Sequence, residues 1–125
     1  MSAKCILIVD DEDDIREVAH ASLELIGGWR VLTAAGGEEA VARAVEDRPD
    51  AILLDVMMPG VDGPATLAML RADPATAAIP VVFLTAKVQA ADRRRLADIG
   101  ARGVIAKPFD PMTLASQVSE TLDWS

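Results

Sequence analysis

The chain is poor in aromatic side chains, with two Trp, two Phe and no Tyr, and it has one Cys and one His. With aromatics at 3%, its core must be built from aliphatic residues and alanine. A lone Cys5 excludes an intramolecular disulfide, and its place in the apolar run Cys5-Ile6-Leu7-Ile8-Val9 predicts a buried, inert thiol. Basic residues are also scarce: 12 Lys and Arg against 20 Asp and Glu leave a net charge of −8. Phosphate backbones need a basic face, so direct nucleic-acid binding is not expected. The only basic run, Arg93-Arg94-Arg95, reads as a solvated helix face. No apolar stretch reaches the ~20 residues that span a bilayer, and no signal-peptide pattern opens the chain. The expectation is a cytoplasmic protein with no membrane insertion. A Gly-rich phosphate loop is missing too, so the chain brings no nucleotide of its own.

What is abundant is aliphatic: 51% of the 125 residues are hydrophobic, enough for one domain with a core and no stapling. The first apolar run ends in five consecutive acids, Asp10-Asp11-Glu12-Asp13-Asp14. Carboxylates gathered at a strand exit repel one another unless a cation is held among them. Three further apolar runs deliver a polar group at the same end. Ala51-Ile52-Leu53-Leu54 leads to Asp55, Val81-Val82-Phe83-Leu84 to Thr85, and Gly103-Val104-Ile105-Ala106 to Lys107. A fifth short strand is predicted over Arg30 to Thr33.

Helical periodicity fills the gaps between the strands. It runs from Asp13 to Ile26 before Gly27-Gly28, and from Glu38 to Glu46 ahead of Pro49. A third helix opens at Asp62-Gly63-Pro64, with Asp62 as N-cap, and ends near Ala72. The fourth spans Gln89 to Ile99 and stops at Gly100, and Asp110-Pro111 is expected to cap the fifth. His20 reads as a surface or half-buried residue of the first helix. Five strands alternating with five helices imply a parallel sheet covered on both faces, in a single domain over residues 1–125.

In such a sheet all carboxyl ends share one edge, where ligands of open α/β folds sit. Asp10, Asp11, Asp55, Thr85 and Lys107 are thereby expected in one pocket. Carboxylates and carbonyls suit a hard divalent ion, most simply Mg²⁺. A carboxylate beside that ion is a nucleophile toward phosphorus, while Lys107 neutralises a phosphoryl oxygen and the Thr85 hydroxyl donates to another.

The motifs Val9-Asp10-Asp11, Leu54-Asp55-Val56-Met57-Met58-Pro59-Gly60-Val61-Asp62-Gly63, Leu84-Thr85-Ala86 and Lys107-Pro108-Phe109 resemble the response-regulator receiver domain of two-component signalling. The likeness covers nearly the whole chain and is closest to stand-alone, chemotaxis-regulator-like members. It implies a flavodoxin-like (βα)5 fold with strand order 2-1-3-4-5 and a cis bond at Lys107-Pro108. It also implies that Asp55 is the phosphoacceptor, with Thr85 and Lys107 contacting the phosphoryl group. Mg²⁺ would be held by Asp10, Asp11, Asp55 and the Met57 backbone carbonyl. The donor would be a phosphohistidine on a sensor histidine kinase or histidine phosphotransfer protein. Output would pass to a downstream protein target by contact or by phosphorelay. Such a domain supports its own phosphorylation and dephosphorylation without being a turnover enzyme.

Val104 departs from the pattern, since receivers commonly place Tyr or Phe three residues before the site lysine. Conformational output is therefore expected to centre on Thr85 to Arg93. Met57 and Lys87, each two residues beyond a site residue, stand where the family tunes phosphoryl lifetime. Two other function classes fit less well. An aspartate-nucleophile phosphohydrolase needs a second acid close after the nucleophile, where this chain has Val56 and Met57. A receiver-like binding module that is never phosphorylated would be expected to lack the acidic pair, the aspartate or the lysine.

Overall fold

The computed structural model describes residues 4–124. Along the chain run β1 (Cys5–Val9), α1 (Asp13–Leu25), β2 (Arg30–Ala34), α2 (Gly37–Asp47), β3 (Ala51–Asp55), α3 (Gly63–Ala72), β4 (Val81–Thr85), α4 (Ala90–Asp98), β5 (Gly103–Ala106) and α5 (Leu114–Leu122). The strands form one parallel sheet in the order β2-β1-β3-β4-β5. This is the flavodoxin-like arrangement expected from the motifs.

Strand periodicity divides the core in two, because successive side chains point to opposite faces. Leu7, Val9, Ile52, Leu54 and Phe83 face α2, α3 and α4, where Ala40, Ala44, Leu67, Leu70 and Leu96 meet them. Ile6, Ile8, Leu53, Val82, Leu84 and Ile105 face α1 and α5, packing against Ala19, Leu23, Leu114, Val118 and Leu122. Every residue of β3 and β4 is buried. Each large aliphatic side chain so enclosed contributes about 1.5–3 kcal/mol, which is how a core almost without rings holds together.

Coverage is uneven. Helix α4 buries only Leu96, so polar contacts do much of its anchoring. Arg93, Arg94 and Arg95 are all exposed, as the sequence suggested. Arg93 nevertheless donates from Nε to the Val88 carbonyl (3.0 Å) and from Nη1 to the Val104 carbonyl (3.4 Å). At the other end of α4, the Arg71 guanidinium donates to the carbonyls of Ala77, Ile79 and Gly100.

The amino edge of the sheet is closed by the two tryptophans. Trp29 and Trp124 meet edge to face with ring centroids 5.0 Å apart, and the Lys4 ammonium lies 5.3 Å from the Trp124 ring centre.

Two expectations need correction. Cys5 is partly exposed rather than buried, because it opens β1 at the sheet's amino edge. Its partial burial pushes the thiol pKa up, which leaves it a poor nucleophile. Asp110 does not cap α5 directly. Its carboxylate accepts from the Met112 amide two residues on, forming a turn over residues 111–113, and α5 begins at Leu114 with Thr113 as N-cap. Asp62 does cap α3, accepting from the Ala65 amide at 2.9 Å with Pro64 in the first turn.

Candidate functional site

The chain order reverses about β1, which has β2 on one side and β3 on the other. Their carboxyl ends therefore frame a crevice. Asp10 follows the last residue of β1 and is fully buried, while Asp11, one step further, is exposed. Asp55 ends β3 with 4% exposure. One carboxylate oxygen from each of Asp10, Asp11 and Asp55 lies within 4.8 Å of the others.

Lys107 reaches into this group from the end of β5. Its Nζ stands 2.8 Å from Asp10 Oδ2 and 3.2 Å from Asp55 Oδ1. The peptide bond from Lys107 to Pro108 is cis, as the resemblance implied. Thr85 ends β4, one residue past the Leu84 that registers with Asp55. It is buried, and its hydroxyl accepts from the Lys87 amide at 3.1 Å. The Thr85 carbonyl accepts from the Lys107 amide at 2.9 Å, which ties the ends of β4 and β5. Met57 follows Asp55 by two residues and is 64% exposed, and its amide lies close enough to the Asp55 carboxylate to stabilise the charge there.

The loop after β3 is shaped by two glycines. Gly60 adopts φ +76°, a left-handed conformation that side chains disfavour. Gly63 packs against the strand end itself. A Cβ there would lie 2.5 Å from the Asp55 carbonyl oxygen and 2.8 Å from Val56 Cα. Only glycine lets α3 start this close to the strand that carries Asp55.

Electrostatics follow from this crowding. Burial, then the charge of Asp10, pushes the Asp55 pKa up to about 6, against the opposing pull of Lys107 and the Met57 amide. Burial alone would lower the Lys107 pKa, but Asp10 and Asp55 outweigh it and the pKa is raised, so the ammonium stays charged. Asp10 Oδ1 accepts from the Glu12 amide at 2.9 Å. Its other oxygen, Oδ2, is fully buried, and among the described residues its one partner is the Lys107 ammonium at 2.8 Å. A buried carboxylate whose second oxygen meets nothing but that ammonium, with two more carboxylates within 4.8 Å, is a donor set that fits a hard divalent cation.

Sequence reasoning overlooked Arg16. Its Nη1 donates to the Asp10 carbonyl at 2.9 Å and its Nη2 pairs with the Asp13 carboxylate. The i,i+3 spacing of Asp13 and Arg16 was the available signal. His20 is half-buried on α1, with Nε2 3.3 Å from a Glu24 carboxylate oxygen, outside the pocket.

The architecture is shared with known proteins. A family model for the response regulator receiver domain matches residues 6–119. The phosphate regulon transcriptional regulatory protein PhoB of Pseudomonas aeruginosa is 39% identical over 122 residues, 98% of this chain and 53% of that protein. The DNA-binding dual master transcriptional regulator RpaA of Synechocystis is 40% identical over 117 residues, 94% of this chain and 48% of that one. The chain thus spans about half the length of these curated relatives. Among solved structures, chemotaxis protein CheY4 of Vibrio cholerae superposes with a TM-score of 0.88 at 32% identity, covering 96% of this chain and 99% of that one. The signal receiver domain of a signal transduction histidine kinase from Syntrophus aciditrophicus gives 0.82 at 36% identity, covering 97% and 91%. A matched span of that extent, on a sheet of this order with acids and a lysine at its carboxyl edge, makes the chain a member of the response regulator receiver domain family, the phosphorylation-dependent switches of two-component signalling.

Proposed function

We propose that Asp55 is the residue phosphorylated in this receiver, and that a phosphohistidine on a sensor histidine kinase or histidine phosphotransfer protein is the donor. The observation that carries this reading is the position of Lys107 Nζ, between the buried Asp10 and Asp55 carboxylates. Asp55 attacks phosphorus through a carboxylate oxygen. The new O–P bond forms as the P–N bond of the donor breaks, and its electron pair returns to the imidazole nitrogen. Lys107 draws negative charge from the incoming phosphoryl oxygens, and the Thr85 hydroxyl exchanges its contact with the Lys87 amide for one to the phosphoryl group. Residues Asp10, Asp11 and Asp55, with the Met57 carbonyl, would hold Mg²⁺. Bound there, the ion supplies neutralisation of phosphoryl charge among carboxylates that otherwise repel it.

Residues 1–125 act in this reading as a single receiver unit that is not a turnover enzyme, although its own groups support gain and loss of the phosphoryl group. It works in the cytoplasm and passes its state to a protein target by contact or by relay. The net charge of −8 supports a domain that leaves nucleic acid to other partners. No helix among the described residues is long and apolar enough to cross a membrane.

Incubation with a small phosphoryl donor and Mg²⁺ tests the assignment. One phosphoryl group should be gained by the wild-type chain and none by Asp55→Asn, with labelling abolished by a chelator. Undiminished labelling of Asp55→Asn would overturn it.

A further inference from the structure

The turn from β1 into α1 carries the densest negative charge of the molecule, yet only Asp10 and Asp11 of its five acids join the cluster with Asp55. Asp10 is fixed by burial and by its bonds to Glu12 and Ala34. Asp11 is exposed, and among the described residues its carboxylate has no hydrogen bond or ion pair to hold it. Its place near Asp10 and Asp55 depends on the backbone of the turn. One side chain spans that turn. The Arg16 guanidinium grips the Asp10 carbonyl with one nitrogen and the Asp13 carboxylate with the other, joining the end of the strand to the start of the helix. The planar fork of arginine serves two acceptors in fixed geometry, which a lysine ammonium does not reproduce.

From this geometry we infer that Arg16 is a positioning residue for the phosphorylation site, clamping the β1–α1 turn so that Asp11 stays within ligand range of Asp10 and Asp55. The inference rests on the Mg²⁺ reading above. It is separable from a plain charge effect because the two have opposite signs. Arg16 is a cation beside a cation site, so by Coulomb's law its removal favours binding of a metal ion. Loss of the clamp frees Asp11 and weakens binding. Residues that orient metal ligands typically change affinity by about 10-fold or more when replaced.

The experiment is a calorimetric titration of Mg²⁺ into the unphosphorylated full chain at fixed ionic strength, for wild type, Arg16→Gln and Arg16→Lys. Wild type should bind, Arg16→Gln should bind about tenfold more weakly, and Arg16→Lys should fall between despite keeping the charge. In metal-free protein, amide exchange at Glu12 and Asp13 should quicken in Arg16→Gln. Arg16→Gln binding as tightly as wild type, or more tightly, overturns the proposal. Should that variant fail to give a folded circular dichroism spectrum, Arg16→Lys decides, and wild-type affinity there overturns the clamp. Absence of Mg²⁺ binding by wild type itself would instead bring down the metal-site reading, and the Arg16 role with it.

Discussion

Asparagine at position 55 keeps the shape of the aspartate while removing its charge, and so isolates the electrostatic cost of the acceptor. That carboxyl group has its pKa pushed from 3.8 to about 6 by burial and by Asp10, even with Lys107 3.2 Å away. A folded-state value above the unfolded one means that the native protein binds its proton more tightly than the denatured chain does. Stability contributed by the protonated form is complete below about pH 4, drains away as pH rises toward 6, and is absent at neutral pH. The difference corresponds to about 3 kcal/mol for the ionised group at pH 7.5. Asp55→Asn should therefore raise the melting temperature of metal-free protein by roughly 10 °C at that pH. Thermal melts in chelator at pH 7.5 and pH 4.5 make the measurement, and the gap should shrink strongly at the lower pH. Adding Mg²⁺ at ten times its dissociation constant should stabilise wild type by about 1.4 kcal/mol and narrow the gap at neutral pH. An asparagine variant that melts at or below wild type in chelator at pH 7.5, or a gap that ignores pH, would refute the reasoning.

Lys107→Met should destabilise metal-free protein by about 3 kcal/mol at pH 7.5, because it leaves two carboxylates without their cation, and by less at pH 4.5; urea denaturation at the two pH values reads both. Gly63→Ala should cost about 2–3 kcal/mol by the same assay, since the new methyl would press on the backbone of Asp55 and Val56. Amide exchange with and without a beryllofluoride mimic should show protection changes over Thr85 to Arg93. Arg93→Ala, which frees the Val88 and Val104 carbonyls, should raise exchange in that loop even without the mimic, and changes confined to α1 and α2 would contradict this expectation.

The sheet was legible because each strand declares itself as a short aliphatic run. The pocket was legible because parallel strands bring the groups that follow those runs to one edge. Less of the site's internal division was readable. Asp10 and Asp11 are identical neighbours in the sequence, yet one is fully buried and the other exposed, since the strand's alternation ends between them. Arg16 was missed because its main acceptor is a carbonyl six residues back, and carbonyls leave no mark in a sequence. The turn before α5 was misjudged for a related reason. An aspartate before proline can accept from an amide two or three residues on, and only the fold selects the nearer one. Cys5 belongs to an apolar run, but the run's first residue sits at the rim of the sheet.

The two tryptophans have a consequence for how this molecule can be watched. Both indoles lie at the amino edge of the sheet, while Asp10, Asp55 and Lys107 lie at the carboxyl edge, a five-residue strand away, or roughly 15 Å. Intrinsic fluorescence is thus deaf to quenching by a metal ion or phosphoryl group in direct contact. Any change in emission on phosphorylation would be a message that had crossed the sheet, making the Trp29–Trp124 pair a built-in receiver at the far end of the line.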